Sequence, residues 1–130
     1  MAHPNEELVR KGFDAFSKGD METLANQVLD PAITYHVPGR SPVSGDYSGT
    51  EQVLGFFANL FQLTNGTFQV QLHDVVAGDE HAVSLFTATG ERDGRSLDVR
   101  SVIVWHARND RLTEAWLFTE DQYTTDAFWS

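Results

Sequence analysis

The sequence predicts an α+β protein in which a curved antiparallel sheet forms a cone and three N-terminal helices pack on its concave face. Three observations predict it. Apolar residues up to residue 61 recur at helical spacing, whereas between residues 67 and 121 the apolar period falls to about two. Turn pairs at Gly78-Asp79, Asp93-Gly94 and Asn109-Asp110 divide that second stretch into successive long strands. Helices are available for only one face of this sheet, so it curls into a cone with an open mouth. Tryptophan and phenylalanine on the inner wall make the cone a pocket for a small apolar ligand.

Each element has a local reason. Asn5 is placed to cap the first helix, with Glu6 and Glu7 in its electropositive first turn. Leu8, Val9, Gly12, Phe13 and Phe16 form its apolar stripe, and Gly19 ends it. Asp20 caps a second, shorter helix carrying Leu24 and Val28, which Asp30-Pro31 stops. Ile33 to Val37 reads as a short strand, and residues 38 to 49 as a loop rich in glycine and proline. Ser48 and Glu51 have capping-box spacing for the third helix, although Thr50 serves equally well. That helix buries Val53, Phe57, Leu60 and Phe61 before Asn65-Gly66 turns the chain into the sheet. Beyond the last strand, Gln122 to Phe128 reads as a short helix for which Asp121 is an available N-cap.

The hairpin turns also predict which side chains share a face. With two-residue loops, residues paired across a turn point the same way. Trp105 then falls opposite Ala82 and Glu114, Ile103 opposite Ser84 and Trp116, and Ser101 opposite Phe86 and Phe118. His73 and Gln71 join that face. The other face collects Val70, Leu72, Val83, Leu85, Val102 and Val104. Both faces are apolar, so the helices cover one and a second copy of the chain is expected to cover the other as a homodimer.

Bulk properties narrow the function classes. The chain of 130 residues suits one domain, residues 1–130, whose core needs no staples. It has no cysteine, which removes disulfides and thiolate metal sites and fits a reducing cytoplasm. No run approaches the ~20 apolar residues of a membrane span, and the polar N-terminus does not read as a signal peptide. A cytoplasmic protein away from membranes is expected. Formal charge is −10, from 19 acidic and 9 basic side chains, which repels phosphate backbones and argues against nucleic acid as a partner. The five histidines have no tight spacing, and no glycine-rich phosphate loop is present, so neither metal nor cofactor is expected.

The layout, with "KGDMETL" at the second helix and "VIVWHARNDRLTEAW" in the last hairpin, resembles the nuclear transport factor 2-like superfamily, of cystatin-like fold. Within it the chain is similar to the SnoaL-like branch, relatives of polyketide cyclases and ketosteroid isomerases. The resemblance implies a single SnoaL-like domain. The segment "ITYHVPGRSPVSG" is similar to the isomerase stretch that bears an aspartate general base, and His36 stands at that position. The isomerase's oxyanion positions carry Gly12 and Ser101 here. SnoaL-like cyclases use an acid just after the last strand, downstream of a tryptophan, and Trp116 followed by Glu120-Asp121 is similar to that pattern.

The resemblance thus implies a cofactor-independent isomerase, lyase or cyclase acting on a small apolar carbonyl compound. His36 would be the base and Asp121 or Glu120 the acid, since burial moves both groups toward neutrality. Phe57, Phe61, Phe86, Trp105, Trp116 and Phe118 would form the walls, with His73 and Ser101 on the same face. Arg40 would close over the mouth and Trp129 would plug it. The alternative is a non-catalytic domain that binds a hydrophobic ligand or serves as a dimeric interaction module, with His36 merely holding the loop of residues 38 to 49.

Overall fold

The computed structural model describes residues 2–130. Helix α1 (Pro4–Lys18) ends at Gly19, which takes the left-handed conformation (φ 68°) and returns its amide to the last carbonyls. Its N-cap is His3 rather than Asn5. The His3 ring accepts from the Asn5 amide at 3.0 Å, and the Asn5 side chain donates to the carbonyls of Gly78 and Asp79. The residue expected to cap the helix instead ties it to the first hairpin turn. Asp20 does cap α2 (Met21–Thr23), which widens into a π-helical turn over Leu24–Val28.

Strand β1 (Leu29–Val37) starts before Pro31, and its pairing is interrupted between Leu29 and Thr34, where a proline lacking an amide proton is tolerated. The segment from 38 to 49 is not all loop: β2 (Gly45–Ser48) folds back along β1, placing Asp46 opposite His36. Helix α3 (Thr50–Leu63) has Gly49 at its N-cap, so neither Ser48 nor Thr50 fills that role. The meander follows as β3 (Gln69–Ala77), β4 (His81–Arg92), β5 (Arg95–Arg108) and β6 (Arg111–Thr119). Strand order is β2-β1-β6-β5-β4-β3, with β1 parallel to β6 and the other neighbours antiparallel. Helices α1 and α3 pack on the concave face of this curved sheet through Val9, Phe16, Val53, Phe57 and Leu60.

The β4–β5 register places Trp105 opposite Ala82, Ile103 opposite Ser84 and Ser101 opposite Phe86, as the turn arithmetic expects. The flanking strands each contain one extra residue. In β6, His106 pairs with Glu114 and Ala107 with Leu112, leaving Thr113 unpaired. In β3, Leu72 pairs with Phe86 and Asp74 with Leu85, leaving His73 unpaired. A bulge exchanges the faces beyond it. Trp116 and Phe118 therefore point to the convex face, contrary to expectation, while Ala115 and Leu117 point inward. Val70 and Leu72 belong to the concave side, and His73 is exposed on the bulge.

Helix α4 (Gln122–Trp129) closes over one end of the cone, burying Phe128 and Trp129. Asp126 accepts from the Arg40 amide at 3.1 Å and from Gln122 at 2.8 Å. At the other end of α4, Arg92 and Arg95 donate to the Ser130 carbonyl at 2.6 and 2.9 Å. Gly39 sits in the seam with φ 97°, and a β-carbon there would run into Asp126 and Gln122. Gly39→Ala should therefore lower stability by ~1–3 kcal/mol through backbone strain and displacement of α4. Calorimetric melting of the variant beside the parent protein checks this, with an unchanged midpoint as the contrary result.

Candidate functional site

The concave face and its helices enclose a cavity of about 110 Å³. That is several times the space one water needs, so the cavity admits a small organic molecule. Its wall is built by alternation. β4 contributes Phe86 and Ala88, β5 contributes Val99, Ser101, Ile103 and Trp105, and β6 contributes Leu117 and Thr119. From the helical side come Val9, Gly12 and Phe13 of α1 and Phe56, Phe57 and Leu60 of α3. Trp105 is fixed by an indole N–H that donates to the hydroxyl of Ser84 at 3.0 Å, both groups buried. Gln122, Thr125 and Trp129 of α4, together with Ser41, border the cavity at the end that α4 covers.

Tyr35 of β1 is the titratable side chain of this wall. Among the described residues, no aspartate, glutamate, histidine, lysine or arginine lines the cavity. The ring of Tyr35 meets Trp105 edge-on at 6.0 Å and Phe57 at 5.7 Å. Burial pushes its phenol well above the ordinary tyrosine range, so it stays neutral at physiological pH. This residue was missed in the sequence, although Ile33, Tyr35 and Val37 alternate with polar neighbours and so mark the inward face of β1.

The residues expected to form the site divide into two groups. Phe57, Phe86, Ser101, Trp105 and Trp129 line the cavity, and Phe61 packs just behind it against Phe16. The others lie elsewhere. His36 is one step along β1 from Tyr35 and therefore on the convex face, stacked on Trp116 at 5.2 Å. Its Nδ1 is 2.8 Å from Asp46 and its Nε2 is 2.7 Å from Glu114. Glu120 is exposed and accepts from the Arg100 amide. Asp121 caps α4, and bonds from the Thr124 hydroxyl and amide hold its carboxyl below the usual range. Arg40 is exposed, His73 occupies the β3 bulge, and Trp116 and Phe118 are outward. The expected histidine–carboxylate pair therefore does not face the cavity.

Residues 9–115 match the family model described as a SnoaL-like domain. The uncharacterised protein Rv0034 of Mycobacterium tuberculosis (strain ATCC 25618 / H37Rv) is 30% identical over 125 residues, covering 95% of each chain. Bal32a, from a soil-derived mobile gene cassette, superposes with a TM-score of 0.94 at 36% identity, covering 98% of this chain and 97% of Bal32a. A protein of unknown function with cystatin-like fold from Xanthomonas campestris superposes with a TM-score of 0.88 at 26% identity, over 95% of this chain and 96% of its own.

His36 lends itself to a direct test of its convex-face environment. Hydrogen bonding to Glu114 first, then to Asp46, raises its pKa above the ordinary value of 6.5. On the same side His106 stands 3.8 Å from the other oxygen of Glu114 and its ring meets that of His81 at 4.6 Å. A raised folded-state pKa means the charged pairs stabilise fully below pH 6.5 and fade as pH rises through that raised value. The melting gap between the parent and His36→Gln should be worth about 1 kcal/mol at pH 6 and shrink by pH 9. An identical gap at both pH values would leave only packing against Trp116.

Proposed function

The chain belongs to the SnoaL-like domain family, and from that premise we propose that it binds a small, neutral, largely apolar molecule and holds it without acid–base chemistry. One observation carries this reading. The cavity wall is mostly apolar, its polar members besides Tyr35 are neutral (Ser41, Ser101, Thr119, Gln122 and Thr125), and among the described residues its one titratable group is a phenol that burial keeps neutral. Proton abstraction next to a carbonyl needs a base within hydrogen-bond reach, with a pKa near the working pH. His36, Glu120 and Asp121 are the residues the family resemblance offers for that work, and none of them lines the cavity: His36 is on the convex face of β1, Glu120 bonds the Arg100 amide, and Asp121 caps α4. The ligand-binding residues in this reading are Phe57, Phe86, Ser101, Trp105 and Trp129, with α4 as the cover. The reading uses no cofactor.

The convex face supports a second copy as partner. Val83, Leu85, Val102, Val104 and Trp116 form an apolar strip, with Val76 63% and Phe118 51% exposed beside it. Its centre carries no charge, so two copies of a chain with net charge −10 can meet there without like charges in contact. An isologous contact hides the same strip on both. The correction from the β3 bulge matters here, because Val70 and Leu72 do not belong to this surface. No described helix is long and apolar enough to cross a membrane. We place this assembly in the cytoplasm.

Three measurements test the proposal. Titration with aromatic and terpenoid ketones should quench tryptophan fluorescence saturably, because Trp105 and Trp129 line the cavity. Chromatography of the same samples should return the ketones unchanged. Catalysed conversion would restore the isomerase, lyase or cyclase reading, and no quenching at all would remove the pocket's role. Light scattering should give a dimer at micromolar concentration for the parent. Replacing Leu85 and Val104 with lysine should give a monomer, since each charge would otherwise be buried without a partner. A monomeric parent overturns the dimer.

A further inference from the structure

Two tyrosines face each other across the β1–β2 pair, and they differ in one respect. The Tyr47 hydroxyl donates to the Val43 carbonyl at 2.7 Å. Tyr35 is only 4% exposed, yet its hydroxyl has no hydrogen-bond partner among the described residues. Its ring is held on three sides by Phe56, Phe57 and Trp105, at 5.6 to 6.0 Å. Among the described residues, no side-chain polar atom that is sealed from solvent lacks a partner. The Tyr35 oxygen therefore keeps accessible surface, on a residue that lines the cavity. Ser101 shares this property: it is 6% exposed, lines the cavity, and its hydroxyl has no partner among the described residues.

Buried polar groups are nearly always satisfied, and a lone hydroxyl in an apolar wall is costly where a hydrocarbon ring of the same shape is available. Phenylalanine would pack against Phe56, Phe57 and Trp105 as well as Tyr35 does. We infer that the Tyr35 hydroxyl is the ligand-recognition group of the cavity, and that the ligand is a neutral molecule with an apolar ring body and a carbonyl oxygen that accepts from this phenol. The inference rests on the binding reading above and specifies its ligand class.

The chemistry of the wall fixes the remaining properties. The phenol is neutral and donates its proton to an acceptor, and no competing protein acceptor takes that bond. An anionic ligand would be stripped of water against an apolar surface that offers no cation, so carboxylates are excluded. A cationic ligand meets no carboxylate. Ser101 lies four residues from Trp105 along β5, about 13 Å away at the usual strand rise, and so serves a different point of the cavity from the Tyr35 ring. It is a second place where a neutral oxygen is accommodated.

The test compares 1-indanone with indane, which share a ring skeleton and differ by the carbonyl, in the parent and in Tyr35→Phe. Tyr35→Phe should weaken 1-indanone by about fivefold, the worth of one neutral hydrogen bond, and leave indane unchanged. The infrared carbonyl stretch of bound 1-indanone should lie lower in the parent than in the variant. The ligand-free variant should melt no lower than the parent, because the deleted hydroxyl has no protein partner. Equal effects on both probes, with the same carbonyl stretch in the two proteins, would overturn the role of Tyr35 and leave the cavity as a binding site. If neither probe binds the parent at its solubility limit, the binding reading itself fails and this inference with it.

Discussion

Side chains on a strand alternate between faces, and in this sheet one unpaired residue in β6 decides which chemistry goes to which side. Thr113 shifts the register so that Ala115, Leu117 and Thr119 point into the cone, while Glu114, Trp116 and Phe118 point out of it. Everything distinctive about the two surfaces follows. The outward Glu114 meets His36, and His36 meets Asp46, so the ionisable groups of this region pair with one another at the convex surface. The inward residues are small or apolar and leave the cavity to the aromatic rings. Without Thr113, Trp116 and Phe118 would have to fit inside a space already occupied by Trp105 and Phe86.

The same residue explains why the fold was legible in the sequence and the site only partly so. Helix positions, the meander and the β4–β5 register follow from strong local signals: Gly19 as a C-cap, Asp20 as an N-cap, and Asp93-Gly94 with both residues at positive φ. A bulge leaves no such mark. Threonine at 113 is an ordinary strand residue, and histidine at 73 is compatible with either face. The positions derived across the β4–β5 turn, namely Trp105, Phe86 and Ser101, lie on the cavity. Those derived through β6, Trp116 and Phe118, do not. His36 failed for another reason. The pattern Ile33, Tyr35, Val37 already set the inward face of β1, and the family resemblance drew attention to the neighbouring position.

The cover of the cavity combines two buried rings, Phe128 and Trp129, with bonds at its edges. Trp129 borders the cavity, and the helix that carries it is held at three places. Asp121 caps its first turn, Asp126 accepts from the amide of Arg40, and Arg92 and Arg95 from the β4–β5 hairpin grip its last carbonyls. The hairpin that fixes the sheet register therefore also fixes the lid. Each of these contacts is exposed or half-buried, so each is individually weak. The burial of Phe128 and Trp129 therefore supplies most of the hold on the helix, and the peripheral bonds set its position.

Strand β5 joins the two surfaces. Ile103 and Trp105 face the cavity, while Val102 and Val104, alternating with them, face the convex side. A partner copy seated on Val102 and Val104 would hold the strand from outside while a ligand against Ile103 and Trp105 holds it from inside. Both events would select the folded state over the unfolded chain, so each would add to the stability of the same element. The linkage is reciprocal: if the ligand tightens the dimer by some factor, the dimer tightens the ligand by the same factor. The fold alone does not dictate a reaction. Here a neutral phenol stands on the inward face of β1 while its histidine neighbour is turned out to two carboxylates, and on the reading proposed above this single alternation is what would make the cavity a recognition site rather than a proton-transfer site.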